Sequence, residues 1–546
     1  TPATTNNKFD LSNLTTNNLG YSYKRAKIAW YTIDNIFYLN GGSQKPNNIT
    51  NEDLENNYVK PVSPQDIFRQ QDRQLINTNL PIFDIAYFPN ERGQYNYNPD
   101  LLPSGLLRDP KSNFGAITKS ISNETDFDRT NIQYIEFWLM DPFIEGENGK
   151  VLDGIFNRNN TTGGKLVINL GNVSEDIMKD NIHAFENGLS SDYSNNGINV
   201  NEWGRVTSKQ YLTKFFENNS TSRDNQDVGL DGLKNSEEET HFKETFIDKL
   251  SLTGDGLLKI KNDVSADNFS YYLGNNLDNS NKKILERYKN FNGMDGNTPL
   301  VSSGNFSAQG SPFPENEDLN EDNTLSELES YYEYNIDLIP GKLNVGNNNI
   351  VDKIVDKSGN ATWYQFRVPI RDPDRIQGSI SDFKTIRFIR TYLTGWEEPV
   401  VLRFAKFQMV GSQWRKYEES LIESGLNEIP EDSDSDLQIS VVSIEENSIG
   451  SESKSPYVVP PGIPRDIDNT TIVQRRTNEQ SLQLCVTDLS DGNAQAVFKE
   501  SNFDLINYGR IKMFIHAEPN DGDLISDDEI SAFLRFGSDY ENNYYE

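Results

Sequence analysis

Ile132-Gln133-Tyr134-Ile135-Glu136-Phe137-Trp138-Leu139 and Ile386-Arg387-Phe388-Ile389-Arg390-Thr391-Tyr392-Leu393 share one pattern: Ile, polar, aromatic, Ile, charged, any residue, aromatic, Leu. Aromatic and β-branched residues without an intervening Gly or Pro mark each as a strand. A second apolar strand follows in both cases, Val167-Ile168-Asn169-Leu170-Gly171 and Val401-Leu402-Arg403-Phe404-Ala405, with two apolar residues, one polar, one apolar and one small. A third pair, Ile511-Lys512-Met513-Phe514-Ile515 and Phe533-Leu534-Arg535-Phe536-Gly537, repeats the signature with a poorer match in its first strand. Two unrelated buried strands would look broadly alike, but not position by position, so the first two copies read as an internal repeat. Strands that keep their pattern while the loops between them change length predict a repeated sandwich scaffold.

The expected fold is mainly β: tandem β-sandwich modules of jelly-roll, galactose-binding-like type with a few short helices. The predicted organisation is an irregular N-terminal region over 1–110, a first module over 111–205 and an Asn- and Asp-rich insertion over 206–325. A second module over 326–427, an acidic and Pro-rich linker over 428–468 and a third, truncated module over 469–546 follow. Helical signals in the insertion cover Thr207–Phe216, Glu237–Leu250 and Lys282–Lys289. Ser63-Pro64 opens a short helix by N-cap and N1 logic. Ser174 as a cap, Glu175 and Asp176 at a positive helix end and Gly188 as a stop predict another.

At 546 residues the chain exceeds one hydrophobic core, and several domains are expected. The net charge of −32, from 83 acidic and 51 basic residues, repels phosphate backbones and anionic lipid, so no nucleic-acid partner is expected. Most of these charges read as a solvated surface, and clustered carboxylates favour hard cations such as calcium. The single cysteine, Cys485, excludes an internal disulfide and reads as a buried structural thiol in the apolar run Leu482–Val486. No stretch reaches the roughly 18 apolar residues of a spanning helix. No signal peptide opens the chain, and both ends read as cut, as though it were a piece of something longer.

The sharpest chemical motif is Asp227-Val228-Gly229-Leu230-Asp231-Gly232-Leu233-Lys234-Asn235-Ser236-Glu237-Glu238. Against the twelve-residue calcium loop, Asp227 takes the first position, Asp231 the fifth and Gly232 the turn. The Leu233 carbonyl, Asn235 and the Glu238 carboxylate then fall on the seventh, ninth and twelfth. Phe242, Phe246 and Leu250 give an exiting helix one apolar face. Gly229 stands where a third acid or amide is expected, and no entering helix is evident. An ordinary Asp-Gly turn before an acidic helix start competes on equal terms. The expectation is one structural calcium ion that pins the insertion, not a calcium sensor.

Catalytic constellations are absent from the sequence, and no enzyme is expected. His183, His241 and His516 lack metal-ligand spacing, and no nucleophile elbow, zinc helix, P-loop or dinucleotide fingerprint occurs. A glycosidase pair cannot be picked out of 83 acids. Among Trp138, Trp203, Trp363, Trp396 and Trp414, Trp138 and Trp414 suit core packing. Trp396, in the Thr394–Glu398 turn, is the best exposed candidate for stacking on a sugar.

Several longer strings carry a resemblance. Arg25-Ala26-Lys27-Ile28-Ala29-Trp30-Tyr31, Tyr87-Phe88-Pro89-Asn90-Glu91-Arg92-Gly93 and Ile135–Phe143 resemble the SprA (Sov) family. So do Asn169–Asp176, the Asp227–Leu233 loop, Ile386–Tyr417 and Ala532–Glu546, in the right order over nearly the whole chain. The resemblance implies the outer-membrane β-barrel translocon of the type IX secretion system, tied in many members to gliding motility. It implies a PorV-like shuttle protein, a plug protein and secreted cargo as partners. The membrane strands of such a barrel are not evident here, so membrane contact is expected only through a missing barrel part, with the side of the membrane open. The expected role is a non-catalytic scaffold or cap at the outer membrane. A cell-surface carbohydrate-binding or adhesion module is the alternative that the same sandwich would serve.

Overall fold

The computed structural model describes residues 14, 17–39, 45–69, 71, 79–207, 214–300, 310–417, 421, 435–448, 455–468, 475–490, 493–501, 504, 506–519, 525–539 and 542–546. They fall into two compact units. One is drawn from Thr1–Val62, Asn79–Arg129 and Tyr134–Met409, the other from Ser63–Thr78, Thr130–Gln133 and Val410–Glu546.

The first unit is built mainly of strands: β1 (Ala26–Tyr31), β2 (Phe83–Arg92), β3 (Phe114–Ser120), β4 (Ile132–Met140), β5 (Gly164–Asn172), β6 (Ile198–Val200), β7 (Arg205–Thr207), β8 (Ser330–Leu338), β9 (Ile350–Val355), β10 (Thr362–Pro369), β11 (Arg375–Gln377), β12 (Phe388–Thr394) and β13 (Val400–Gly411). A six-stranded sheet runs β1-β2-β13-β4-β10-β9 and a five-stranded sheet runs β11-β8-β5-β12-β3. Strand ends meet between the sheets, where Arg25 bridges Phe114 and a Cβ on Gly115 would stand 2.9 Å from the Tyr87 ring.

The repeated strands form reciprocal neighbours. β4 of the first copy lies beside β13 of the second, and β5 of the first pairs with β12 of the second, Thr391 opposite Ile168. The two copies are therefore not separate modules, because each supplies one strand to either sheet. Strand patterning records which faces are buried and leaves the hydrogen-bonded neighbour open.

The central strands are covered on both sides. Val400 to Ala405 are all buried, and Phe137 stacks on Phe366 at 5.1 Å and meets Phe404 edge-on at 5.3 Å. Two arginines cross this interior on acidic partners. Arg403 Nε donates to Asp84 Oδ1 at 3.0 Å, and Arg390 holds Glu329 with both terminal nitrogens.

Several local expectations change. No helix follows Ser174: Glu175 accepts amides from Leu319, Asn320 and Ser326, and Asp176 those of Lys179 and Asn181. Acids spent on loop amides leave no capped turn, and only the 3-10 turn Glu186–Gly188 forms. The Glu237–Leu250 signal becomes a helix over Asn235–His241 that ends at Phe242, then a 3-10 turn over Ile247–Lys249. The Lys282–Lys289 signal appears as the helix Ile284–Tyr288. Most of the Thr207–Phe216 signal lies outside the described residues, as does much of the acidic stretch from Glu428.

The second unit holds the strand pairs β14 (Arg415–Tyr417) with β19 (Ala496–Phe498), β15 (Asp436–Ser443) with β18 (Gln480–Thr487), β16 (Ile467–Asp468) with β17 (Arg475–Arg476) and β20 (Phe536–Gly537) with β21 (Tyr544–Tyr545). Ser63-Pro64 opens the helix Pro64–Ile67, with Asp66 accepting the Ser63 amide. Cys485 is half-buried within β18, not fully enclosed. Ile511 to Ile515 form no named strand, and the apolar members of that run are more than half exposed. Among the described residues no helix is long and apolar enough to cross a membrane.

Candidate metal centre

Two further chain segments meet the Asp227–Glu238 loop. Val228 and Asn268 both bridge to Asp295, and the amides of Met294 and Asp295 donate to the Asp267 carbonyl at 2.7 and 3.1 Å. The loop turns tightly, with Gly229 at φ +74° and Gly232 at φ +62°, conformations that glycine adopts without a Cβ clash. Ala266, just before Asp267, sits at φ +57°, which costs a residue with a side chain roughly 1–2 kcal/mol. Tyr97, stacked on Phe242 at 4.2 Å, closes the apolar side.

Into this junction project Glu238, Asp267 and Asp295, each offering a carboxylate oxygen within 4.8 Å of the others. Glu238 Oε2 accepts the amides of Val264 and Ser265 at 2.9 and 3.0 Å, whereas its Oε1 is buried without a hydrogen-bond partner. Asp267 is wholly buried, and neither of its carboxylate oxygens has a partner. Asp295 Oδ2 accepts from Asn235 Nδ2 at 2.6 Å. Among the described residues no ion pair reaches these three acids. Arg92, whose positive charge acts on Glu238, donates instead to the carbonyls of Asn96, Val264 and Asp263.

Burial, and then the charge of the neighbouring acids, raises every one of these carboxyls. Glu238 and Asp295 reach about 7, and Asp267 is pushed well above the usual carboxylate range. Asp231 is raised for the same reasons. So concentrated a negative site needs protons or a cation to neutralise it. An all-oxygen donor set without His or Cys suits a hard cation.

The expected loop residues separate into two groups. Glu238 lies in the centre, and Asn235 orients Asp295. Asp231 stands beside it with both oxygens occupied, Oδ1 by the Leu233 amide at 2.9 Å and Oδ2 by Ser265 Oγ at 2.5 Å. Asp227 faces elsewhere, accepting the Thr298 amide near Glu315, and burial raises it to about 6. Asp267 and Asp295 carry no ligand spacing in the sequence. Their signals, Asp263-Val264-Ser265-Ala266-Asp267-Asn268 and Met294-Asp295-Gly296-Asn297, look like ordinary turns.

A separate pocket is lined by Phe88, Glu91, Asp153 and Arg158 among others. Its two acids share Lys289 Nζ at 2.6 and 3.2 Å, which ties them as an ion-paired group. The stacking surface expected at Trp396 is also absent. Trp396 is fully buried, with Nε1 donating to the Lys165 carbonyl at 3.1 Å, and Trp138, Trp203 and Trp363 are buried too. The Gly395-Trp396 turn folds inward because Gly164 leaves room for the indole: a Cβ there would stand 2.4 Å from the ring.

A family model described as a motility related/secretion protein, SprA_N, matches residues 245–546, more than half of the chain. The matched stretch includes Asp267 and Asp295 and begins after Glu238. No curated protein matches the sequence.

Proposed function

We propose, from the premise that the chain belongs to the SprA family of motility-related and secretion proteins, that it is a non-catalytic scaffold region of an outer-membrane export translocon of the type IX system. In this reading it contacts a PorV-like shuttle protein, a plug protein or passing cargo, and reaches the membrane through a barrel part outside these residues. The family match carries the proposal. A bare apolar run within the matched stretch supports it: Ile511, Met513, Phe514 and Ile515 are each 56–61% exposed. Apolar surface gathered in one segment suits contact with another protein surface better than with water. The glycan-binding alternative loses its best stacking residue, because Trp396 is enclosed.

The test replaces Ile511, Met513, Phe514 and Ile515 by Ser in the full-length parent and scores co-purified proteins and secreted cargo. Loss of a partner, or cargo trapped on the cell side, at an unchanged level of the parent protein supports the scaffold. Unchanged partners and unchanged secretion refute this surface. If binding to cell-surface glycans disappears instead, the adhesion module takes its place.

A further inference from the structure

We propose that Glu238, Asp267 and Asp295 bind one hard divalent cation, calcium by their ligand chemistry, which ties together the segments around 227–238, 263–268 and 294–298. The site differs from a contiguous calcium loop, since two of its three carboxylates come from elsewhere in the chain, and it stands independently of the export reading.

Three observations converge. The carboxylate oxygens lie within 4.8 Å of one another, close enough for one ion to touch all three. Asp267 Oδ1, Asp267 Oδ2 and Glu238 Oε1 are buried and bare of hydrogen bonds, in a protein interior where such oxygens are almost always satisfied. A single proton on Asp267 would satisfy one of these oxygens, whereas a cation satisfies all three at once. Finally, the third position of the loop, empty because it is Gly229, is filled from outside. A Cβ on Gly229 would stand 2.4 Å from Asp267 Oδ2, so Asp267 occupies the space that the missing loop ligand would need.

The ion's identity follows from the donors. Asp267 has two free oxygens and can bind side-on, as calcium's flexible shell of six to eight oxygens allows. Magnesium demands a tighter octahedron and keeps its waters. Asp231, with both oxygens already engaged, adds negative potential without being a ligand, and solvent completes the shell.

The experiment compares thermal unfolding of the chain in EDTA and in millimolar calcium chloride, beside terbium luminescence excited through Tyr95 and Tyr97. The unaltered protein should unfold several degrees higher in calcium and sensitise terbium. Asp267→Asn should lose both responses while unfolding in EDTA no lower than the parent, since the amide is close in size and brings no charge that needs neutralising. Asp227→Asn, outside the cluster, should keep both. Absence of a calcium shift and of terbium emission in the unaltered protein overturns the proposal. So does a pair of variants behaving the other way round, which would return the ion to the contiguous loop. An equal shift with magnesium alone and none with calcium overturns the assignment of the ion.

Discussion

Asp267 Oδ2 lies 2.4 Å from the point where a side chain on Gly229 would begin, with the Tyr95 hydroxyl 2.9 Å from the same point. The glycine that looks like a defect in a calcium loop is thus the space in which a distant carboxylate sits. Gly229→Asp, which would complete the sequence pattern, is therefore expected to weaken calcium binding at least about tenfold, roughly 1.4 kcal/mol. It should also destabilise the fold, because φ +74° strains any side chain. Calcium titration of the variant beside the parent checks this, and tighter binding would contradict it.

Asp84 and Arg403 face each other across β2 and β13 in the interior of the six-stranded sheet. Arg403 also donates to the carbonyls of Asn57 and Lys60, and Asp84 holds the guanidinium firmly charged. Removing only Asp84, as Asp84→Ala, strands that charge and should cost about 3–5 kcal/mol. Replacing both residues by apolar ones of similar volume should cost much less. Urea unfolding of the single and double variants measures the difference.

Glu317 is buried against Asp176 and Asp180, with the Arg25 guanidinium also nearby, and burial followed by Asp176 raises it to about 8. Its carboxylate accepts the amides of Ile177, Met178 and Ala184. A carboxyl raised on folding contributes stability that is full below about 4.5 and lost as pH rises through 8. Stability of the parent should fall between about pH 4.5 and 8 and level off above, this group adding at most about 1.4 kcal/mol per pH unit. Glu317→Gln, less stable overall because it turns an amide group toward the Ala184 N–H, should show a shallower decline. Equal slopes for the two proteins would remove Glu317 as a source.

Trp396→Ala empties a fully enclosed site and should cost about 3–5 kcal/mol in unfolding experiments. Glycan arrays should show no difference between folded parent and variant. A selective loss of sugar binding with stability intact would revive the adhesion reading.

The strands were legible because their patterns are local. Ile132–Leu139 and Ile386–Leu393 contain the cores of β4 and β12, and their followers those of β5 and β13. Their reciprocal pairing was not, because Val167 carries no mark that its partner is Tyr392. Glu238 was legible through its spacing from Asp227 and Asp231. Asp267 and Asp295 were not, since only the folded chain brings two turn-like segments beneath the loop. Trp396 misled for a similar reason: a Gly-Trp turn reads as exposed until Gly164 is seen to make room for it.

The most direct test is an anomalous difference map from crystals of the chain grown in calcium and exchanged with terbium. The account predicts one strong peak within about 2.3–2.6 Å of Glu238 Oε1 and both oxygens of Asp267, with Asp295 completing the carboxylates. A peak seated between Asp227 and Asp231, or no peak while Asp267 remains bare, would contradict it.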